Sequence, residues 1–482
     1  MVVIKNDVIG EKAAEERRMI LLLGSVIFPF LTITIAVLLG GVLGSLDVST
    51  VVFIAGAILL VLVLALRQYG LAVALIIFAH IYIDWYLGLE IVVTAIAVGL
   101  FFLLCFIRSP EYPRVAPRSL WLWGLLLIIG IPPAIRGAQS HYDLAFYYPN
   151  IFLGALLMYW LGMLVASNRV HLRTFFQILS TLGAFLAIHT IIQNATGTIV
   201  FGSAHIDAYL TQVSHYDLTS YGIPRPGSFL INPDWNGTFF AMMLFLPIGL
   251  FAEATSFVQK ILCIIEMLLM SIALLLTYSI GAWIAALAGI IVFIFIMKRG
   301  RYLIRLILLP ALLMINGLII MIAFPAQLNL QFQHISNPKE VSLRVGAWQT
   351  AINIIHAFPL TGIGLGLTNY LQRADPYRVP AQYLPLAHPH NSYLELGAMA
   401  GLPVLIVFLA LLLVALWQAW RNWRKVDAGT RFLLGGGIAA IIALSVNSMS
   451  INAWTLSPLA AIGWVILGAM SSPLLATDKS IG

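Results

Sequence analysis

The residues best suited to acid–base chemistry lie in the segment His388-Pro389-His390-Asn391, with Glu395 shortly after it. A histidine with an ordinary pKa near 6.5 is largely neutral at pH 7, so its imidazole can accept a proton. We predict that His390 is a general base, because it follows a polar loop, precedes Asn391 and stands where an apolar helix begins. His388 is predicted to pack the loop or to support His390. Glu395 is expected either to cap the helix or pair with a basic loop residue, or to orient the histidine.

Two arginines are candidates for binding an anion. Arg225 lies between two prolines, whose stiff backbone holds it just before the helix that follows Asp234. Arg344 precedes Trp348 by four residues, so both share a helix face and the indole is expected to brace the guanidinium. A guanidinium donates paired, charge-assisted hydrogen bonds to a diphosphate, which a lysine does not. We predict that both arginines bind a diphosphate, with Asp234 in support; the alternative for Arg225 is a snorkelling or loop-capping role.

Three alternate glycines, Gly362, Gly364 and Gly366, follow the predicted helix that carries Arg344. That helix is predicted to begin at Asn337-Pro338, an N-cap followed by proline at the first helical position. The glycine run can turn several backbone N–H groups towards an anion, or it can form a turn packed against a helix. The sequence leaves both alternatives open.

Three ionisable residues stand inside apolar stretches: His80, Asp84 and Glu266. Placing an ionisable group inside a bilayer costs free energy, so each of these residues is first considered a candidate functional residue. They are scattered over two predicted helices and do not form the chain of groups that a proton pump needs. We expect a structural role or a contact with a lipid carrier.

The composition is that of an integral membrane protein. Of the 482 residues 61% are hydrophobic and 9% are charged, with mean hydropathy +0.98, whereas soluble domains are about 25% charged. The two cysteines, Cys105 and Cys263, provide neither a disulfide framework nor metal-ligand spacing. The polar start of the chain lacks a short apolar core with a cleavage site, so no cleaved signal peptide is expected.

The apolar stretches predict an all-α, polytopic transmembrane bundle with 12–14 crossings in one integral membrane domain, 1–482. N-terminal transmembrane helices occupy 19–193, an outer-face loop 194–235, central helices 236–324, a large periplasmic loop with amphipathic helices 325–392, and C-terminal helices 393–474. The individual crossings are predicted at 19–45, 50–66, 70–88, 90–107, 119–135, 149–167, 174–193, 236–254, 259–277, 281–297, 304–324, 393–418, 432–450 and 455–474.

The basic residues predict the orientation of this bundle. With the N-terminus in the cytoplasm, 20 of the 26 Lys and Arg residues fall on the cytoplasmic face, which is a strong positive-inside bias. This bias accounts for the net charge of +7 without nucleic acid as a partner. Both long polar loops then lie on the outer face, and both termini lie in the cytoplasm.

Four motifs together resemble the O-antigen ligase and polymerase family. They are His390-Asn391 followed after nine residues by Gly401, the Arg225-x-Gly-x-Phe segment with Asn232-Pro233, the Arg344 and Trp348 helix, and the glycines of 362–366. The resemblance covers residues 225 to about 412. The chain departs from the pattern at Val404, where a second glycine is common, and at Ser279-Ile280-Gly281, where the family often has Ser-Arg-Gly.

The resemblance implies a glycosyltransferase in the bacterial inner membrane with its active site on the periplasmic face. It implies undecaprenyl-diphosphate-linked glycan as donor and a glycolipid or glycan acceptor, with lipid A–core favoured. Polymerase and protein O-oligosaccharyltransferase activity remain alternatives with the same donor, and a lipid-linked sugar transporter is a further one. The sequence contains no Asp-x-Asp, Walker or dinucleotide motif, so we expect no metal, cofactor or nucleotide.

Overall fold

A computed structural model of the chain describes residues 69–80, 119–138, 147–166, 169–196, 225–297, 338–379 and 388–476, together with a few positions of 312–325. This described part is 84% helical and contains no strand, which confirms the all-α prediction. Its helices are α1 Tyr69–Ala79, α2 Leu120–Gly137, α3 Gly154–Val165, α4 Arg169–Thr196, α5 Pro233–Met243, α6 Phe245–Glu253, α7 Phe257–Leu276, α8 Ile280–Ile296, α9 Pro338–Ala357, α10 Leu367–Arg373, α11 Ser392–Ala400, α12 Leu402–Lys425, α13 Ala428–Asn447 and α14 Ser457–Ser471.

Seven helices in these ranges are long and apolar enough to cross a membrane. They are α2, α4, α7, α12, α13, α5 continued by α6, and α14 with the short turn after it. The predicted crossings 19–45, 50–66 and 90–107, and most of 304–324, lie outside the described residues, as do Asp84 and most of the loop 194–235. The total of 12–14 crossings therefore stays a prediction.

The predicted crossing 393–418 is wrong at its start, because two helices occupy this stretch. The chain turns at Gly401, whose φ of +88° ends α11 and is ordinary only for glycine. A Cβ at Gly401 would collide with the backbone of Leu360 and Thr361. The N–H of Leu402 donates to the Pro359 carbonyl at 2.8 Å, so the loop after α9 packs directly against the turn at Gly401. Only α12 is long enough to span the membrane here.

The predicted crossing 236–254 begins earlier than expected and contains an interruption. Asn232 caps α5, accepting hydrogen bonds from the N–H groups of Asp234 at 2.8 Å and Trp235 at 3.4 Å, and Pro233 takes the first helical position. The interruption at Leu244 precedes Pro247, which has no N–H to donate one turn back. The cap places Asp234 in the first turn of a membrane helix.

The interior of the bundle centres on α13, which packs against α5, α6 and α8, while α14 packs against α3 and α12. At the end that the charge bias assigns to the cytoplasm, Glu253 accepts from Arg169 at 2.8 Å and lies 3.4 Å from Arg173. Arg169 also bonds Asp427, the cap of α13, at 3.1 Å. These paired charges tie α4, α6 and α13 together, far along the bundle from the residues with predicted chemistry.

The intramembrane Glu266 has local partners. The hydroxyls of Ser180 and Thr181 on α4 donate to its two carboxyl oxygens at 2.5 and 3.0 Å. Glu266 therefore joins α7 to α4, as the structural alternative expected.

Candidate functional site

Arg225 lies on the loop that enters α5 and is held by two neighbouring helices. Its Nε donates to the carbonyl of Thr277, just past the end of α7, at 3.0 Å, and its Nη2 donates to Asp234 Oδ1 at 2.7 Å. A helix C-terminus attracts a cation, and the Ser279 side chain also favours the charged form of Asp234. The loop-capping alternative thus describes part of what Arg225 does, and the same contacts orient its guanidinium beside Asp234.

The Arg225 loop is anchored by polar side chains that the sequence analysis did not assign. Gln193 Oε1 accepts from the Ser228 N–H at 2.7 Å, and His189 Nδ1 lies 2.8 Å from the Ser228 hydroxyl. Asn236 donates to the Pro226 carbonyl at 3.1 Å. The available signal was the pair of polar residues His189 and Gln193 near the C-terminal end of the predicted crossing 174–193. Both are buried in α4.

Backbone strain is concentrated in the same segments. Among the described residues, four other than glycine have positive φ: Ser228 at 50°, Ile231 at 70°, Tyr278 at 51° and His390 at 51°. A positive φ is unfavourable for any residue with a Cβ, and most of all for a β-branched residue such as isoleucine. Ser228 and Ile231 lie in the loop between Arg225 and α5, and Tyr278 directly follows Thr277, whose carbonyl accepts from Arg225. Strained residues of this kind gather at functional sites.

Arg344 reaches the same place from α9. Its charge acts on both Asp234 and His390, so the three predicted residues come from separate segments to one region. Within the described part of the chain the guanidinium makes no hydrogen bond, and it makes no cation–π contact with Trp348. The expected brace is therefore absent, since the indole does not lie over the guanidinium. The Trp348 indole N–H is buried without a hydrogen-bond partner among these residues.

His390 precedes α11 in a strained conformation, and its ring contacts that of His388 at a tilt of 34°, with ring centroids 4.1 Å apart. Its backbone N–H donates to His388 Nδ1 at 3.2 Å. Removal from water, followed by the charges of His388 and Arg344, lowers the pKa of His390 to about 3, although Asp234 opposes this shift. Burial is the larger cause of this shift, and the nearby cations add to it by disfavouring the imidazolium. His390 is thus a neutral imidazole at pH 7.

Glu395 lies beside His388 and bonds a more distant residue. Its Oε1 accepts from the Thr455 hydroxyl at 2.6 Å, and its Oε2 lies 3.4 Å from His388 Nδ1. His388 Nδ1 can serve only one partner at a time. It accepts from the His390 N–H, which leaves Glu395 Oε2 without a hydrogen-bond partner among the described residues. His388 therefore supports His390 directly, and Glu395 would pair with it only if Nδ1 carried a proton.

Asn391 supports the site by capping α11. Its Oδ1 accepts from the N–H groups of Tyr393 and Leu394 at 3.0 and 3.1 Å. Its Nδ2 donates to the Met449 carbonyl at 3.0 Å, beyond α13. A side-chain oxygen at this position satisfies N–H groups that no helical carbonyl can reach. Asn391 therefore fixes where α11 begins, and with it the position of His390.

The glycine run 362–366 forms the packed turn. The N–H groups of Ile363, Gly364 and Leu365 donate to the carbonyls of Ala398, Met399 and Pro133 at 2.9, 3.0 and 2.9 Å. These groups are not available to an anion. Gly364 has φ +108°, and a Cβ there would lie 2.5 Å from the Gly137 nitrogen. The glycines allow close contact of α2 and α11 with the turn.

Arg136, a cation to which the sequence analysis gives no role, secures this turn. Its Nη1 donates to the Thr361 hydroxyl at 2.8 Å, and its guanidinium lies 4.4 Å from the centre of the Phe358 ring. A cation over an aromatic face is attracted by the ring quadrupole. Arg136 therefore links the end of α2 to the loop after α9.

Comparison with known proteins agrees with the motifs. The sequence model of the O-antigen ligase family matches residues 265–409, which include Arg344, the glycine run and the His390 segment but not Arg225 or Asp234. No curated protein matches the chain. Residues 265–409 are therefore similar to the O-antigen ligase family, in a chain whose described residues include seven helices long and apolar enough to cross a membrane.

Proposed function

We propose that this protein is a ligase-type glycosyltransferase that moves a glycan from undecaprenyl diphosphate to an acceptor hydroxyl, with a lipid A–core sugar as the favoured acceptor. The observation that carries the proposal is the convergence of Arg225, Asp234, Arg344 and His390 from three separate segments. The site lies on the outer face of the bacterial inner membrane, as the charge bias predicts. We propose that no metal ion or nucleotide takes part.

The arginines would bind the diphosphate and stabilise it as it leaves. Arg344 makes no hydrogen bond within the described residues, so its donors are free for phosphate oxygens. Arg225 donates to Asp234 and Thr277, and these bonds orient its positive charge for a second contact with the diphosphate. Fixed cations directed at a leaving group stabilise charge that develops in the transition state. Arg344 is accordingly the main ligand and Arg225 the second.

His390 would accept the proton of the acceptor hydroxyl. As that oxygen forms its bond to the anomeric carbon, the carbon–oxygen bond to the diphosphate breaks and its electron pair leaves with the phosphate oxygen. The hydroxyl proton passes to the His390 imidazole, and the configuration at the anomeric carbon inverts. With a pKa of about 3, the imidazole of the free protein is a weak base. The bound diphosphate anion opposes Arg344 and raises this pKa, so the base strengthens once the donor is present.

A transfer assay with purified protein tests this proposal. The protein is incubated with a polyprenyl-diphosphate glycan and, in parallel, lipid A–core, a second molecule of the lipid-linked glycan, or a serine-containing peptide. The ligase proposal predicts product with lipid A–core and unchanged activity in EDTA. Product formed only with the lipid-linked glycan would indicate a polymerase, and product only with peptide would indicate a protein glycosyltransferase. Absence of transfer to every acceptor would refute the transferase.

A further inference from the structure

The connection between α13 and α14 is a polar segment in an otherwise apolar part of the chain. Residues 447–455 read Asn-Ser-Met-Ser-Ile-Asn-Ala-Trp-Thr, and Asn447, Ser448 and Asn452 are buried. The segment lies beyond the part matched by the O-antigen ligase family, which ends at residue 409. Polar side chains buried between membrane helices need hydrogen-bond partners. The hydrogen-bond partners of residues 447–455 show which parts of the site this connection contacts.

One set of partners is the start of α11, directly after His390. The Ser392 N–H donates to the carbonyls of Ser448 and Ile451 at 2.8 and 3.2 Å. In return, the Trp454 N–H donates to the Ser392 hydroxyl at 3.0 Å. Together with the bond from Asn391 to Met449, these contacts hold the first residues of α11 against the connection.

A second partner is the Glu395 and His388 pair. The Thr455 hydroxyl donates to Glu395 Oε1 at 2.6 Å, and the other carboxyl oxygen faces His388 Nδ1 at 3.4 Å. His388 in turn accepts the His390 N–H, and the centres of the two rings lie 4.1 Å apart. Thr455 therefore holds in place the carboxylate that packs beside His388, the residue that supports the His390 backbone.

The third partner belongs to the arginine side of the site. Asn447 Nδ2 donates to the Thr238 hydroxyl at 2.6 Å, and Thr238 donates to the Asp234 carbonyl at 2.6 Å. The Ser450 hydroxyl donates to Asn447 Oδ1 at 2.8 Å and holds the amide in this orientation. One end of the connection thus contacts the helix turn that carries Asp234, while the rest contacts the His390 segment.

We propose that the connection 447–455 sets the distance and orientation between the base and the diphosphate-binding side of the site, with Thr455 and Asn447 as positioning residues. The inference rests on the proposed transferase function. Reacting groups must be held in place closely, and a misplacement of about 1 Å can lower a rate about 100-fold. Neither residue touches the reacting atoms, so each acts through others.

The test compares Thr455→Val, which keeps the shape and removes the hydroxyl, with Thr455→Ser, which keeps the hydroxyl. Thr430→Val is the matched control, because it removes a threonine–carboxylate hydrogen bond to Asp427 at the opposite end of α13. We expect Thr455→Val to lower kcat by about 10- to 100-fold with donor KM within about threefold of wild type. Thr455→Ser should restore most of kcat, and Thr430→Val should leave it unchanged.

Hydrogen–deuterium exchange provides a readout that does not depend on activity. Backbone amides of 388–396 should exchange about tenfold faster in Thr455→Val and in Asn447→Leu than in wild type, since a buried hydrogen bond is lost, and should not change in Thr430→Val. Equal exchange in both variants and wild type would overturn the inference. A kcat within twofold of wild type for Thr455→Val, alongside an inactive His390→Ala, would overturn it while leaving the transferase intact. A wild-type protein without transfer refutes the function instead, and exchange still decides whether the connection holds the histidine segment.

Discussion

The pH dependence of kcat/KM tests the state of His390 in the free protein. Its pKa of about 3 means that the imidazole stays neutral far below neutral pH. The neutral form is the one that accepts a proton, so lowering the pKa extends the active range to lower pH. We expect the contribution of His390 to kcat/KM to be flat from about pH 5 to pH 8.

The size of the effect separates this state from that of an ordinary histidine. A histidine with a pKa near 6.5 is about nine-tenths protonated at pH 5.5, and kcat/KM would be roughly tenfold below its plateau. At the same pH a group with a pKa of about 3 is protonated in well under about 1% of molecules. The kcat profile reports the donor complex, where the diphosphate raises the pKa, so its acidic limb should lie at higher pH than that of kcat/KM.

The assay is initial-rate transfer with a fluorescent lipid-linked glycan in detergent, with folding checked at each pH. Arg344→Gln should move the acidic limb of kcat/KM to higher pH, because it removes a cation that disfavours the imidazolium. Arg378→Gln is the matched control, since Arg378 pairs with the exposed Asp375. A tenfold fall in wild-type kcat/KM centred near pH 6.5 would refute the buried, cation-flanked histidine described above.

Three further predictions address binding, folding and topology. Arg225→Lys should lower turnover about 10- to 100-fold, because lysine cannot reproduce the paired bonds of the guanidinium. Near-wild-type donor binding and turnover would show that a positive charge at position 225 is enough and that paired bonds are not needed. Gly364→Ala should destabilise the protein by about 1–3 kcal/mol in thermal unfolding, given its φ of +108°, whereas Gly124→Ala, with no neighbour within 4 Å, should not destabilise it. A cysteine at position 337 should react with an impermeant reagent from outside and one at position 300 should not; the reverse pattern would invert the topology.

Local signals in the sequence were sufficient for the all-α class and for the residues that converge. Proline at the first helical position predicted the start of α9, which begins at Pro338 as expected. Arg225, Asp234, Arg344 and His390 were recognisable because charged or titratable groups are few in so apolar a chain. Each of these inferences uses residues close together in the chain.

Features that depend on distant partners could not be predicted in this way. Alternate glycines serve equally for an anion-binding loop and for close packing, and the carbonyls of Ala398 and Met399 decide between them. Glu395 Oε1 accepts a hydrogen bond from Thr455, a partner sixty residues along the chain that local spacing does not reveal. Arg344 and Trp348 have the spacing that a brace requires. Spacing does not determine side-chain direction, however, and the indole does not lie over the guanidinium.

Turnover of His390→Ala is the most direct test of the proposed mechanism. Donor binding and single-turnover transfer are measured for purified His390→Ala, His388→Ala and, as the matched control, His356→Ala, whose side chain is exposed on α9. We predict that His390→Ala binds donor normally and transfers glycan about 10²- to 10⁴-fold more slowly. His388→Ala should lose far less, and His356→Ala nothing. A folded His390→Ala protein that transfers glycan at the wild-type rate would contradict the assignment of His390 as the base.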